Sequence, residues 1–417
     1  MLDATLTLDT LNWLLRILRS GWTLVVCLTL ITVIDLTRTR LHAGHPITLH
    51  REDDAKELRL VHLYKHIFKL FRHGHRTPAD TYPNDPYLNA SFDPYGWGHL
   101  TNFGKTYMFE TGEFLRQRYG KFLGKTYNPD IIHAQSTGVI RTKMSMALVL
   151  AGLWPPKDTA MEWNRKLNWQ PIPIEYEPLD EDSLLLVRTP CPRYHEALAE
   201  TLTESPISVE IEKYRNMMKE LTEITGLDIK TPDDVQSLFS TLKAEDEFGL
   251  KLPEWTKRFY PDRLLPLTEL SYIWNVHTQE MKRLKAGPFL QKLTKEWKAA
   301  ESGTLEPKNR KMYLYTGHDS SVVNVLNALG VWDVQLPDYA IMGMFELLQE
   351  RSTGHFGVQI YLRNSTGEPI PLNLPGCDFF CPLAKVLHLI SPLLPVNRDE
   401  ECKPRNPYFV TPRPTGP

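Results

Sequence analysis

The chain has 417 residues, 42% of them hydrophobic and 24% charged, with a formal net charge of -2. This is a globular balance, long enough for one large domain with an insertion or for two domains. The near-zero charge excludes a global basic field for nucleic acid, so any anion site has to be a local cluster of arginines.

Residues 1–40 read as a signal peptide or signal anchor. Arg16 and Arg19 precede an apolar run from Trp22 to Ile34, closed by Asp35, Arg38 and Arg40. The run suits a signal core and is short for a membrane span. No small-x-small cleavage site stands out after Ile34, so a retained amino-terminal membrane anchor stays open beside a cleaved signal. Residues 41–57 form a polar linker.

The segment 58–179 carries the first α/β signals. An apolar stretch ending Ile67-Phe68-Lys69-Leu70-Phe71 predicts a buried strand. Gly74 and Pro78 stop it and make a loop of Arg72–Pro78. A helical pattern runs from Thr101 to Leu123 and contains Arg116 and Arg118. Ile131–Ala134 is a short strand, and Ser136 and Thr137 offer N-caps for the helix that follows, which ends at Gly152.

From 180 to 302 the texture is helical. Charges recur at helical spacing, caps such as Thr231-Pro232-Asp233 occur, and strand signals are few. Strand character returns in 303–402, at Met312–Thr316, Met344–Gln349 and Gly357–Leu362. A helix with Val322, Val323 and Leu326 on one face ends at Gly330. Residues 403–417 read as a loosely ordered tail. The order implies an α/β core made of two segments, with a helical cap inserted between them. Arg72–Pro78, Ser136–Arg141 and Gly317–Ser320 each follow a strand, where open α/β sheets bind ligands.

Cys27 falls inside the signal candidate, and Cys191, Cys377, Cys381 and Cys402 form an even set that suits an oxidising compartment. Cys377 and Cys381 are close enough to bridge a tight loop; Cys191 with Cys402 would close one of roughly 210 residues. Zinc fits C-x3-C badly without a second pair. The sequons at Asn89 and Asn364 are glycosylation candidates that agree with lumenal exposure.

Arginines flanking a histidine on a turn can hold a dianion while an imidazole nitrogen faces its phosphorus. His73 is thereby a candidate nucleophile, with Arg72 and Arg76 as its clamp. A solvated basic turn explains the same residues. Asp319 reads either as a helix N-cap or as a proton donor to a leaving alkoxide. His318 could add charge when protonated. Arg141 is a third clamp candidate, although a lone arginine there is usually a surface residue. His73 and His75 lack acidic or cysteine partners at ligand spacing, so no metal and no organic cofactor are expected.

Phe71–Pro86, reading FRHGHRTPADTYPNDP, resembles the signature of the histidine acid phosphatases, in their prostatic, lysosomal and insect venom branch. The similarity continues through Thr111–Tyr119, Ser136–Thr142, Trp169–Pro173, Cys191–Arg193, Thr316–Asp319 and Leu374–Cys377. The resemblance implies a phosphoglycerate mutase-like fold, a mixed central sheet flanked by helices with an inserted helical cap. It implies hydrolysis of small-molecule phosphate monoesters at acid pH, through a phosphohistidine on His73 with Asp319 as proton donor. Arg72, Arg76, Arg141 and His318 would bind the phosphate, and Arg116 matches a further pocket arginine. It also implies disulfides Cys191–Cys402 and Cys377–Cys381, a homodimer, and a secreted or lysosomal location. His75 departs from the family's usual aspartate, which bears on pocket charge and pH optimum. A narrow substrate, such as an inositol phosphate or lysophosphatidate, is the alternative to broad specificity.

Overall fold

The computed structural model describes residues 62–186, 188–365 and 367–412. The signal or anchor expected in 1–40, Cys27 and the linker lie outside the described residues. Seven strands, β1 (His62–Arg72), β2 (Ile132–Ser136), β3 (Met312–Gly317), β4 (Met342–Glu350), β5 (Phe356–Arg363), β6 (Ile370–Leu372) and β7 (Cys381–Pro382), form one mixed sheet. The strand order is β2-β3-β1-β4-β5-β6, with β7 also paired to β5. β1, β2 and β3 are parallel, whereas β4 runs antiparallel to β1 and to β5.

Two helices precede the cap, α1 (Asn102–Leu123) and α2 (Ile140–Leu153). They cover one face of the sheet: Ile67, Phe71, Met342 and Met344 pack with Met108, Leu115, Met146 and Val149. Thr101 caps α1 by accepting from the Gly104 N–H, close to where the sequence starts that helix. Beyond Ser136 the expectation fails, because α2 is preceded by Val139, which provides no side-chain cap; Thr137 instead bonds Thr142. A Cβ on Gly112 would sit 2.1 Å from the Val149 carbonyl oxygen, so glycine is what lets α1 and α2 touch backbone to backbone.

Five helices make up the cap: α3 (Pro192–Thr203), α4 (Ile207–Glu212), α5 (Arg215–Thr225), α6 (Pro232–Phe248) and α7 (Leu265–Trp274). Leu221, Val235, Leu238, Leu242 and Leu264 pack there with Tyr82, which comes from the loop after β1. The next helix, α8 (Gln279–Ser302), lies on the other face of the sheet. Its Phe289, Leu293 and Trp297 pack with Phe68, Tyr315 and the Val322 and Leu326 of α9 (Asp319–Ala328). The sequence reads 180–302 as one helical segment, whereas in the structure α8 packs on the sheet rather than among the α5, α6 and α7 side chains. With both faces covered, β1 buries Ile67, Phe68, Leu70 and Phe71 on both of its sides, as a central strand must. Among them Lys69 is fully buried and 3.6 Å from Glu346, itself held by Arg118 at 3.1 Å.

After α10 (Leu383–Ile390) and α11 (Arg398–Glu401) comes the tail. It is tied down more firmly than its proline content implies. The backbone N–H groups of Arg405 and Asn406 both donate to the Glu196 carboxylate at 2.7 Å, and Arg405 pairs with Glu280. Cys191–Cys402 and Cys377–Cys381 are both bonded.

Candidate active site

The sheet register brings the candidate residues to one edge. Arg72, the last residue of β1, lies opposite Gly317, the last of β3, and Ser136 ends β2 opposite Thr316. β4 starts at that same edge, with Met342 opposite Phe71. Past the strand end, the His73 N–H donates to the Gly317 carbonyl at 3.1 Å and its own carbonyl accepts from Ala340 at 3.1 Å. His73 is thus fixed between the β3 and β4 connections.

The His73 ring is oriented by two bonds. Nδ1 lies 2.9 Å from the Gly74 carbonyl, which can only accept, so Nδ1 carries the proton. Nε2 is left with its lone pair and accepts from the Arg141 Nε at 3.0 Å. Burial, followed by the charges of Arg141, Arg72, His318 and Arg76, holds the proton affinity well below the usual histidine range. That favours the neutral imidazole, which a nitrogen nucleophile requires.

The surrounding cations keep donors without acceptors, although Arg72 pairs with Asp319. Arg141 is pushed down to about 9 by burial and by the neighbouring Arg76 guanidinium, so an anion would relieve it while it keeps its charge at acid pH. The Nε–H groups of Arg72 and Arg76 are buried without an acceptor. The remaining contacts of Arg76 are the Thr77 carbonyl at 2.9 Å and the Ser240 hydroxyl at 3.3 Å. Arg72 pairs with Asp319 at 3.0 Å and lies over the Tyr339 ring, 4.4 Å from its centre. Unsatisfied guanidinium donors around a neutral imidazole make a pocket for a phosphate-sized dianion.

His318 is the N-cap of α9, with its ring 5.6 Å from His73 and its Nε2 3.2 Å from the Thr137 hydroxyl. Burial and Arg141 push it down to about 3. The charge that the sequence allows it when protonated is therefore disfavoured by its surroundings. Asp319 follows it in the first turn, not at the cap itself. Burial would raise its carboxyl, but Arg72, His318 and the Ser320 N–H outweigh that and hold it below the usual range.

Arg116 does not join this group. Its Nη1 donates to the Gly124 carbonyl at 2.7 Å, just past the C-terminus of α1. The pocket meets α1 at the opposite end, where a Cβ on Gly104 would lie 2.1 Å from the His75 carbonyl oxygen. Helical spacing alone could not say which turn faces the site. His75 bonds the Thr101 hydroxyl at 2.8 Å and lies 3.8 Å from Glu247 of α6, linking the loop to both α1 and the cap. Asn89 is exposed on the loop after β1, whereas Asn364 is half-buried with an enclosed side-chain oxygen.

Sequence reading missed Tyr339 and the α6 residues Ser240, Lys243 and Glu247. Tyr339 sits against Arg72, His73 and His75. The α6 residues look in sequence like a solvated helix face, and nothing local reveals that this face turns over the pocket. Among the described residues, no group of three or more His, Cys, Asp or Glu side chains could hold a metal ion.

The fold places a buried histidine among three arginines at the carboxyl edge of a mixed sheet. The chain belongs to the histidine phosphatase superfamily (branch 2), whose family model matches residues 65–363. It is 39% identical to the venom acid phosphatase Acph-1 of Apis mellifera over 345 residues, covering 82% of this chain and 88% of that protein. It is 36% identical to the prostatic acid phosphatase of Homo sapiens over 369 residues (87% and 92% covered). With the human lysosomal acid phosphatase it shares 34% over 390 residues (92% and 87%). In fold it is similar to the Citrobacter braakii phytase (TM-score 0.62, 17% identity), covering 81% of this chain and 99% of that one. The Hafnia alvei phytase in complex with myo-inositol hexakis sulphate is comparable, with TM-score 0.61, 17% identity and 82% and 98% covered.

Proposed function

We propose that this protein is an acid phosphatase that hydrolyses phosphate monoesters through a phosphohistidine on His73. The observation that carries the reading is the His73 Nε2 lone pair turned to the Arg141 Nε, with Nδ1 donating to Gly74 and the nearby Nε–H groups of Arg72 and Arg76 buried without an acceptor. On binding, the phosphate dianion takes up the arginine donors and frees Nε2. Nε2 then forms the N–P bond as the ester P–O bond breaks, and Asp319 gives its proton to the departing oxygen. In the second half, Asp319 as carboxylate accepts a proton from water, whose oxygen attacks phosphorus. The N–P bond breaks and inorganic phosphate leaves. A bound dianion both engages Arg72 and repels the Asp319 charge, so substrate itself raises Asp319 towards its acid form.

The relatives' names, venom, prostatic and lysosomal acid phosphatase, support broad monoester specificity, and the two disulfides support a secreted or lysosomal compartment. Among the described residues no helix is long and apolar enough to cross a membrane. The test is hydrolysis of p-nitrophenyl phosphate between about pH 4 and 8, with rapid acid-free quenching of 32P-labelled substrate. Wild-type protein is expected to show acid-side turnover and an alkali-stable, acid-labile protein label. His73→Ala should lose both, and turnover retained in that variant would reject His73 as nucleophile.

A further inference from the structure

We propose that Tyr339 is the positioning residue that holds the Arg72 guanidinium in the phosphate pocket, through the face of its ring. The proposal rests on the reading of Arg72 as a phosphate-binding residue. Tyr339 is buried in the connection from α9 to β4. The Arg72 guanidinium carbon stands over its ring, 4.4 Å from the centre, and the same ring meets those of His73 at 5.8 Å and His75 at 5.3 Å. Lys243 of α6 is a more distant cation, 6.0 Å from the ring centre.

The rest of the guanidinium is held from its edges. Nη1 donates to the Pro337 carbonyl at 2.5 Å, and Nη2 pairs with Asp319 at 3.0 Å. Nε keeps a buried N–H without an acceptor. The Asp319 contact is the one with which an arriving dianion competes, and in the proposed mechanism Asp319 gives its proton to the departing oxygen. Tyr339 and Pro337 are then what keeps Arg72 in place. An aromatic face suits this task, because it attracts a cation through its quadrupole while taking up no N–H and adding no net charge. A second carboxylate there would hold Arg72 but would also repel the phosphate.

The main chain of the same segment serves the same two residues. The Ile341 carbonyl accepts from the Arg72 N–H at 3.0 Å, and the Ala340 N–H donates to the His73 carbonyl at 3.1 Å. Ala340 holds φ 58°, a left-handed conformation that is unfavourable for a residue with a Cβ. Such a conformation persists only where the surroundings impose it. Here one short segment grips the backbone of Arg72 and His73 and lays Tyr339 against the Arg72 side chain.

Calorimetric titration of the full chain with inorganic phosphate at acid pH needs no turnover and tests the role directly. Tyr339→Phe keeps the ring face and should bind phosphate within about twofold of wild type. Tyr339→Leu removes the face, and pentafluorophenylalanine at position 339 keeps the ring's size while reversing the charge of its face. Each should weaken phosphate roughly fivefold to tenfold, and kcat/KM should fall to a similar extent on p-nitrophenyl phosphate and on glycerol phosphate, which share the phosphoryl group. If Tyr339→Leu does not fold, the fluorinated ring decides alone. In an Arg72→Met background, loss of the ring face should weaken phosphate no further. The proposal is overturned if the fluorinated ring binds phosphate as tightly as Tyr339→Phe, or if the loss persists without Arg72. Arg72→Met alone separates this from the reading beneath it. Phosphate bound by that variant as tightly as by wild type would remove Arg72 from phosphate binding, and this proposal with it; phosphate weakened there but not by loss of the ring face would exclude Tyr339 only.

Discussion

In the proposed mechanism Arg141 acts on His73 as well as on phosphate. Its Nε lies 3.0 Å from the nucleophilic nitrogen, and its charge is the largest electrostatic contribution, after burial, holding the imidazole neutral. Arg141→Met keeps length and deletes the charge, so the His73 pKa rises. The neutral fraction is then lost at a higher pH as acid is added, and the acid limb of kcat/KM should move up by about one pH unit. KM should rise roughly tenfold from the lost charged hydrogen bond. A raised KM with the acid limb in place would mean that Arg141 serves phosphate alone. At this scale the meeting of Arg72, His73, Arg76, Arg141, His318 and Asp319 at one sheet edge was legible, because each follows a strand in a short dense motif. Arg116 was misread because its role rests on which end of α1 meets the loop. Tyr339 carries no local mark at all, since a tyrosine in a turn reads as packing until its neighbours are known.

Helix α6 is the element through which the cap meets the catalytic loop. Its start was readable in Thr231-Pro232-Asp233, and Asp234 completes the capping box in the structure. Its inward face was not readable, because the loop residues it meets, His75, Arg76 and Asp85, are remote in sequence. Glu245 on that face is fully buried and faces Asp85, which accepts from the Thr81 hydroxyl at 2.5 Å and the Tyr87 N–H at 2.7 Å. Burial and the Asp85 charge push Glu245 up to about 8. The folded protein therefore binds this proton more tightly than the unfolded chain does. Its stabilising share is complete below the unfolded pKa of about 4.3 and is lost as pH rises towards 8. Glu245→Gln should stabilise the protein by about 1–2 kcal/mol near neutral pH and little near pH 5, flattening the pH dependence of Tm. Calorimetry at the two pH values checks this; destabilisation at both would mean that the amide fits the buried site worse than the neutral acid does.

For the whole molecule, the split core and its inserted cap were legible because strand signals vanish after about 180 and return at Met312. The position of α8 was not: Lys- and Glu-rich turns gave it the same texture as the cap, while Phe289, Leu293 and Trp297 commit it to the sheet. The short β6 and β7 have too few residues to show alternation. What joins the start of the cap to the end of the second core segment is the Cys191–Cys402 bridge, spanning 211 positions. It sits with Tyr194, Met281 and Leu284 in a small apolar cluster that shares no residue with the phosphate pocket. Beside it, Arg193 binds Glu196, Glu200 and Glu280, so the region has its own polar clamp. Closing so long a loop is worth about 5 kcal/mol in the chain-entropy account, because it restricts the unfolded chain more than it shapes the folded one. The paired variant Cys191→Ser with Cys402→Ser should therefore lower Tm by about 10 °C. It should leave kcat and KM on p-nitrophenyl phosphate near wild type at 20 °C (roughly 40 °C below a typical mesophile melting point). Loss of activity at that temperature, in protein still folded by circular dichroism, would mean that the bridge sets the cap's position over His73 rather than only the stability of the fold.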